Sequence, residues 1–449
     1  MSSGPNLKRI SNTDKGSSLG NLLENPFVFA RMFFTFGMML ITFECLFYNK
    51  LNLLIKELGL PVFLWPSEIW FICVGGLLFM FHVKNRGMRL QIKDSKPIIV
   101  VVLVFLIALI HGLLRQNHFV LSEFREIGFG AFALPIVILL SPYYDLNKGY
   151  KYFYIFFTSI STLFFLIAIL ESKRLSVSSS LVSNAFTLFL FFALPFFILS
   201  NSFRYKRTLL SLFILSIAIL VNFSKLSIAN FLFTLTVSLL CFIYISPKAG
   251  FLKLSKMKII LAFKILSLLF SCLFMLFLYD RATDGIIQKA VLMNFLKLRP
   301  SAEGELYFGD SSGGRLAIWK ESLNLWLERP LTGHGLGKTV KVYSAGWVEK
   351  SQLHNYFLQM LQNIGLIGML IVVSCFGYWL MRIFTKIKMT YHIKEKIVMY
   401  SLSIFIMTVL FNGLYGHSLS YPPISILFWV CIGFLSSFRL KSFGINPES

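Results

Sequence analysis

The chain has 449 residues, of which 56% are hydrophobic and 14% charged, with 49 phenylalanines and a formal net charge of +23. A water-soluble domain of this length keeps a large polar exterior, so the composition excludes a soluble globular protein. The apolar residues form continuous runs near the roughly 20 residues a helix needs to cross hydrocarbon, without the strict alternation of a lipid-facing strand. What is left is an all-α polytopic membrane protein.

In chain order, residues 1–26 are polar, rich in Ser, Asn and Gly, and lack a cleavable secretory pattern. They are expected to form a disordered cytoplasmic tail. Apolar spans follow at 27–48, 66–83, 97–114, 126–142, 151–170, 181–201, 208–223, 226–246 and 259–279. After a long polar segment, three more lie at 354–381, 397–415 and 424–438. About 12 transmembrane helices place both termini on one side. The resulting layout is nine helices over 27–279, a large partly helical external loop over 280–353, helices 10–12 over 354–438 and a cytoplasmic tail over 439–449.

Charge tests that count. With the amino terminus inside, cytoplasmic segments hold 24 Lys or Arg, and the short external loops hold 7. This is the asymmetry that orients membrane helices. It accounts for most of the +23 without nucleic acid. The six cysteines all lie within apolar runs and match no metal or disulfide spacing, so they read as packing residues.

Two short external segments hold charges of interest. The one after the third span contains Arg115, Glu123 and Arg125. The hairpin Phe223-Ser-Lys-Leu-Ser227 joins spans seven and eight with almost no connector and leaves Lys225 at the outer membrane surface. Lys225 is either a snorkelling lysine or a charge facing an internal cavity.

The polar loop concentrates the chemistry, with ten Lys or Arg and eight Asp or Glu between Asp280 and Leu353. Residues 315–328 have helical periodicity, with Leu316, Trp319, Leu323 and Trp326 on one face. Asp310-Ser-Ser-Gly-Gly314 precedes this helix and Pro330 stops it. It suits the headgroup region with its tryptophans down. Arg315 falls in the first turn, where free backbone N–H groups also favour anions.

Gly333-His-Gly-Leu-Gly-Lys-Thr339 resembles a nucleotide phosphate loop but fails its spacing, because Thr332 stands where the first glycine belongs. It is expected to be a tight turn with backbone donors open to an anion, and His334 is a weak candidate within it. His354 and Asn355 open the tenth span at the membrane–water interface, and a histidine there suits proton abstraction. Gln359, Gln362, Asn363, Gly365 and Gly368 follow, a polar and small face that would pack closely or line a cavity. No cluster has metal-ligand spacing, so no metal and no cofactor is expected.

Taken together, Gly314-Arg315-Leu-Ala-x-Trp, Pro330-x-x-Gly333-x-Gly335-x-Gly337, Leu353-His354-Asn355-Tyr-x-Leu and Gly365-x-x-Gly368 resemble the O-antigen ligase and polymerase superfamily. The likeness is densest over 315–370, and the twelve-span layout extends it. It implies a bacterial inner-membrane glycosyltransferase, inverting and metal-independent, with its active site facing the periplasm. The donor would be a glycan on undecaprenyl pyrophosphate, and the acceptor the lipid A-core of lipopolysaccharide (in a ligase) or a second lipid-linked glycan (in a polymerase).

Within that resemblance, His354 matches the family's histidine and becomes the candidate base, while Arg315 matches the loop arginine for the pyrophosphate. A second family arginine follows the seventh span, where this chain has Lys225. Lysine keeps the charge but loses the planar two-pronged fork. Lys225 is the favoured second grip, with Arg281 the next pyrophosphate candidate. Arg125, Arg115, Asn355 and His334 are accessory candidates. The ligase is favoured over the polymerase. A lipid-linked sugar transporter is the alternative of another class, but it predicts inverted repeats and charges deep in several spans, and the polar residues instead cluster in one loop.

Overall fold

The structure is a computed structural model. It describes residues 26–57, 65–77, 95–141, 225–245, 298–300, 306–308, 313–343, 347–350, 355–390, 393–414 and 421–437, with isolated positions between. The spans expected at 151–170, 208–223 and 259–279, most of 181–201, Cys272 and nearly all of both tails lie outside these residues.

Four described helices are long and apolar enough to cross a membrane: Phe27–Cys45, Lys96–Leu114, Tyr356–Met389 and Glu395–Asn412. The first belongs to α1, Pro26–Glu57. Helix α2, Pro66–Leu77, contains a π-helical stretch over Ile69–Val74. Then come α3, Lys96–Leu114, and α4, Val120–Ile127. A 3-10 segment, Phe129–Ala133, leads into α5, Leu134–Leu140. The fourth expected span is therefore interrupted, because Gly128 and Pro135 punctuate its apolar run.

Helix α6 covers Lys225–Ile245. Within the polar loop, β1, Leu298–Pro300, pairs antiparallel with β2, Leu306–Phe308. After α7, Gly313–Glu328, strand β3, Val340–Tyr343, pairs antiparallel with β4, Trp347–Lys350. These two hairpins are an addition to the helical expectation for the loop. Helices α8, Tyr356–Met389, α9, Ile393–Asn412, and α10, Pro422–Ser437, complete the described elements.

Helix packing follows the sequence order only in part. Helix α3 runs along α8, α6 along α9, and α10 sits between α5, α9 and the start of α1. Aromatic pairs fill contacts between helices: Phe33 of α1 meets Phe71 of α2 edge-on with ring centroids 5.4 Å apart, and Phe233 of α6 stacks on Phe411 of α9 at 4.3 Å. Such pairs add about 0.5–1.5 kcal/mol beyond the area they bury. Polar bridges between helices are sparse and paired. Thr234 and Thr408 join α6 to α9 at 2.8 Å, and the Trp379 indole donates to Ser436 Oγ at 2.9 Å between α8 and α10.

One buried charge cluster anchors the start of α2. Glu44 of α1 accepts from the backbone N–H of Ser67 at 2.6 Å. Glu68 accepts from the N–H of Trp65 at 2.8 Å, capping its own helix. It also takes the Arg125 guanidinium in a two-pronged pair at 3.0 and 3.2 Å. Arg125 is 15% exposed, so this is a largely desolvated ion pair between α2 and α4, whose geometry suits the fork of arginine.

Candidate active site

Helix α8 is built to receive the loop. At 34 residues it is longer than a span requires, and it is broken at Gly365, whose φ of 65° and ψ of −176° no side-chain-bearing residue adopts readily. The break divides it into an upper limb, 356–364, and a membrane-crossing limb, 366–389. Three more glycines with positive φ, Gly333, Gly335 and Gly337, lie in the loop segment that fills the break.

This segment is stitched in by backbone hydrogen bonds. The N–H groups of His334 and Gly335 donate to the carbonyls of Gln362 and Asn363, each at 2.9 Å, and Leu336 donates to Ala108 of α3 at 3.1 Å. Leu366 and Ile367 donate back to Pro330 and Leu331 at 2.8 and 3.2 Å. The turn after α3 adds Asn117, whose carboxamide donates to the carbonyls of His334 and Leu336 at 3.2 and 2.8 Å. Only glycine permits so close an approach: a Cβ on Gly335 would lie 2.5 Å from the Gly112 nitrogen.

The expected tight turn is therefore present, but its donors are not open to an anion. The N–H groups of 334–337 are all spent on protein acceptors, the last on a carboxylate oxygen of Glu123. Glu123 also accepts from the side-chain amides of Gln359 and Asn363. Burial pushes its carboxyl above the ordinary range, and the three hydrogen bonds oppose that push. The amides of α8 thus line a docking seam rather than an open cavity. Gln362 completes it, donating to the Lys338 carbonyl at 2.9 Å and accepting from Ser322 Oγ at 2.7 Å.

Helix α7 lies against α8 and β3. Its packed face carries Ile318, Ser322 and Leu325, with Ile318 joining Val340 and Leu353 in a small apolar cluster. Leu323 and Leu327 point outward. Of the expected row, Trp319 packs against this cluster while Leu323 is exposed. The Trp319 indole donates to the Leu353 carbonyl at 2.8 Å, and the Trp326 indole donates to the Pro330 carbonyl at 3.0 Å.

The sequence-derived candidates fall unevenly on this frame. His354 and Arg281 lie outside the described residues, and Arg315 is the third residue of α7. Both neighbours of position 354 are fixed: Leu353 is buried and held by Trp319, while Asn355 caps α8 by accepting from the Leu358 N–H at 3.0 Å. The Tyr356 N–H donates to Gly413 at 2.7 Å, tying the same point to the end of α9. Lys225 is the first residue of α6.

Arg125 is engaged by Glu68, and Arg115 donates from Nε to His111 Nε2 at 2.7 Å on an exposed surface. His334 is buried, with Nε2 donating to the Leu325 carbonyl at 2.7 Å, so it pins the glycine segment to α7. Glu123, which sequence reasoning left unassigned between the site and the rest of its segment, is the hub of the seam. Its signal is a carboxylate in the first turn of a short amphipathic segment, with matched amides at helical spacing in 359–363.

Residues 181–373 match the family model described as O-antigen ligase, a stretch holding α6, both hairpins, α7, the glycine segment and the broken part of α8. No curated protein matches the chain.

Proposed function

From residues 181–373, which belong to the O-antigen ligase superfamily and make this a membrane protein of glycosyltransferase type, we propose an O-antigen ligase acting at the periplasmic face of the inner membrane. The donor is a glycan on undecaprenyl pyrophosphate and the acceptor is a hydroxyl of the lipid A-core. The observation that carries this reading is the join between α7 and α8. Trp319, one turn after Arg315, holds the Leu353 carbonyl immediately before position 354. The helix that starts at the Arg315 turn is thereby tied, through one part-buried contact, to the residue that precedes the candidate base.

The acceptor oxygen attacks the anomeric carbon from the face opposite the pyrophosphate. The new C–O bond forms as the bond to the pyrophosphate oxygen breaks, and the anomeric configuration inverts. His354 takes the hydroxyl proton, which makes the oxygen a better nucleophile. Arg315, with Lys225 or Arg281, offsets the charge that develops on the departing pyrophosphate. The leaving group is already activated, so the step needs no nucleotide.

The test is transfer from a carrier-linked glycan to purified lipid A-core by the full chain, with His354→Ala and Arg315→Ala beside the wild type. Both variants are expected to lose at least a hundredfold in rate, in line with the loss of a general base or a charge-stabilising group. Full activity in both would sink the mechanism. Extension of a second lipid-linked unit, with no transfer to lipid A-core, would make the enzyme a repeat-unit polymerase of the same superfamily.

A further inference from the structure

Glu123 lies on α4, outside the segment matched to the family, yet it ties together the parts of the proposed site. Three donors converge on its carboxylate: the Gly337 N–H from the loop, and the Gln359 and Asn363 amides, one helical turn apart on the upper limb of α8. A carboxylate is the side chain that can accept all three at once, since an ionised one offers about four lone-pair positions and no proton. The limb it grips begins at the Asn355 cap, directly after position 354. An adjacent strip of the same limb is held by Gln362 to Ser322 of α7 and to the Lys338 carbonyl. The limb is therefore held by α4, α7 and the loop together.

We infer that Glu123 is a positioning residue for glycan transfer, fixing the upper limb of α8, and so the base at its start, against the loop that carries the pyrophosphate-binding arginine. The inference rests on the function proposed above. Glu123 exchanges no proton and forms no bond in the reaction; it sets the distance between groups on two separate elements. Misplacement of a reacting group by about 1 Å can cost a hundredfold in rate.

The experiment uses the full chain reconstituted in lipid nanodiscs, with two readouts: steady-state transfer, and trypsin cleavage after Lys338. Glu123→Gln keeps the volume but brings an NH2 group into a ring of donors. It is expected to lower kcat at least tenfold, leave the donor KM within threefold, and speed cleavage after Lys338 at least tenfold. The exchange Glu123→Gln with Gln359→Glu puts the carboxylate on the other side of the same contact. It re-forms the 123–359 contact but leaves the glutamine NH2 against one of the other two donors, so it should recover both readouts only in part, to between those of Glu123→Gln and wild type.

If Glu123→Gln does not accumulate, Gln359→Leu removes one donor and is expected to show the same division between kcat and KM. Wild-type kcat and wild-type cleavage in these variants would overturn the inference. So would a loss of rate that only tracks the loss of folded protein. A wild-type chain that transfers no glycan would instead defeat the functional reading, and the cleavage rates would still decide whether Glu123 holds the loop.

Discussion

At the scale of single residues, four glycines carry the fold of the site. Gly365 has a backbone conformation essentially reserved to glycine, and a Cβ there would meet the Gly333 nitrogen at 2.5 Å. Gly365→Ala is expected to cost about 1–3 kcal/mol from strain alone, more once the loop is displaced. Gly377, on the lower limb of the same helix, has open space around it. Gly377→Ala is expected to be neutral or stabilising by up to about 1 kcal/mol, because it removes backbone freedom from the unfolded chain. Thermal melts of the two variants in one detergent check both signs. The glycine spacing in 333–337 was readable as a tight turn. That its donors are consumed by the protein was not, since the acceptors Ala108 and Glu123 are more than 200 positions away in the chain.

At the scale of elements, the helix after Gly314 and its stop at Pro330 follow from turn chemistry and period, and α7 has those bounds to within two residues. Its orientation does not follow from the period. Spacing groups Leu316, Trp319, Leu323 and Trp326, yet of these Trp319 meets the Leu353 carbonyl, Leu323 is exposed, and Ser322, off that row, meets Gln362. Trp319→Phe keeps the ring and deletes the donor, leaving that carbonyl unpaired at a cost of about 1–3 kcal/mol. Because Leu353 adjoins position 354, the expected result is a kcat reduced several-fold or more while bulk stability shifts by only a few degrees. Turnover measured beside a melting curve separates these effects. The break in α8 was legible only as a cluster of small and amide residues. That pattern equally suits helix–helix contact, and the loop that enters the break has no local signature of its destination.

For the whole molecule, the charge asymmetry between alternate segments predicts a cytoplasmic Lys386–Lys388 and a periplasmic Lys320. In a cysteine-free background, a cysteine at Lys320 should react with an impermeant maleimide in spheroplasts with an intact inner membrane. One at Lys388 should react only after permeabilisation. Reaction of both in intact spheroplasts would refute the orientation. Among the described residues four helices at expected spans are long and apolar enough to cross a membrane, and the membrane class was readable from the apolar runs. The tertiary arrangement was not, because it depends on which helices become neighbours, as α3 and α8 do across more than 200 residues.

That separation has a consequence for biogenesis. Ribosomes deliver α3 and α4 to the membrane long before α8, and domains generally form in that order. Until residues 359–363 are synthesised, the Glu123 carboxylate lacks the partners that make its burial tolerable, and Asn117 lacks the loop carbonyls it clamps. A chain truncated before α8 therefore exposes an unsatisfied acid at the membrane surface. Once the loop and α8 are present, that acid is hidden, so burial of Glu123 reports that the chain has been made at least as far as residue 363.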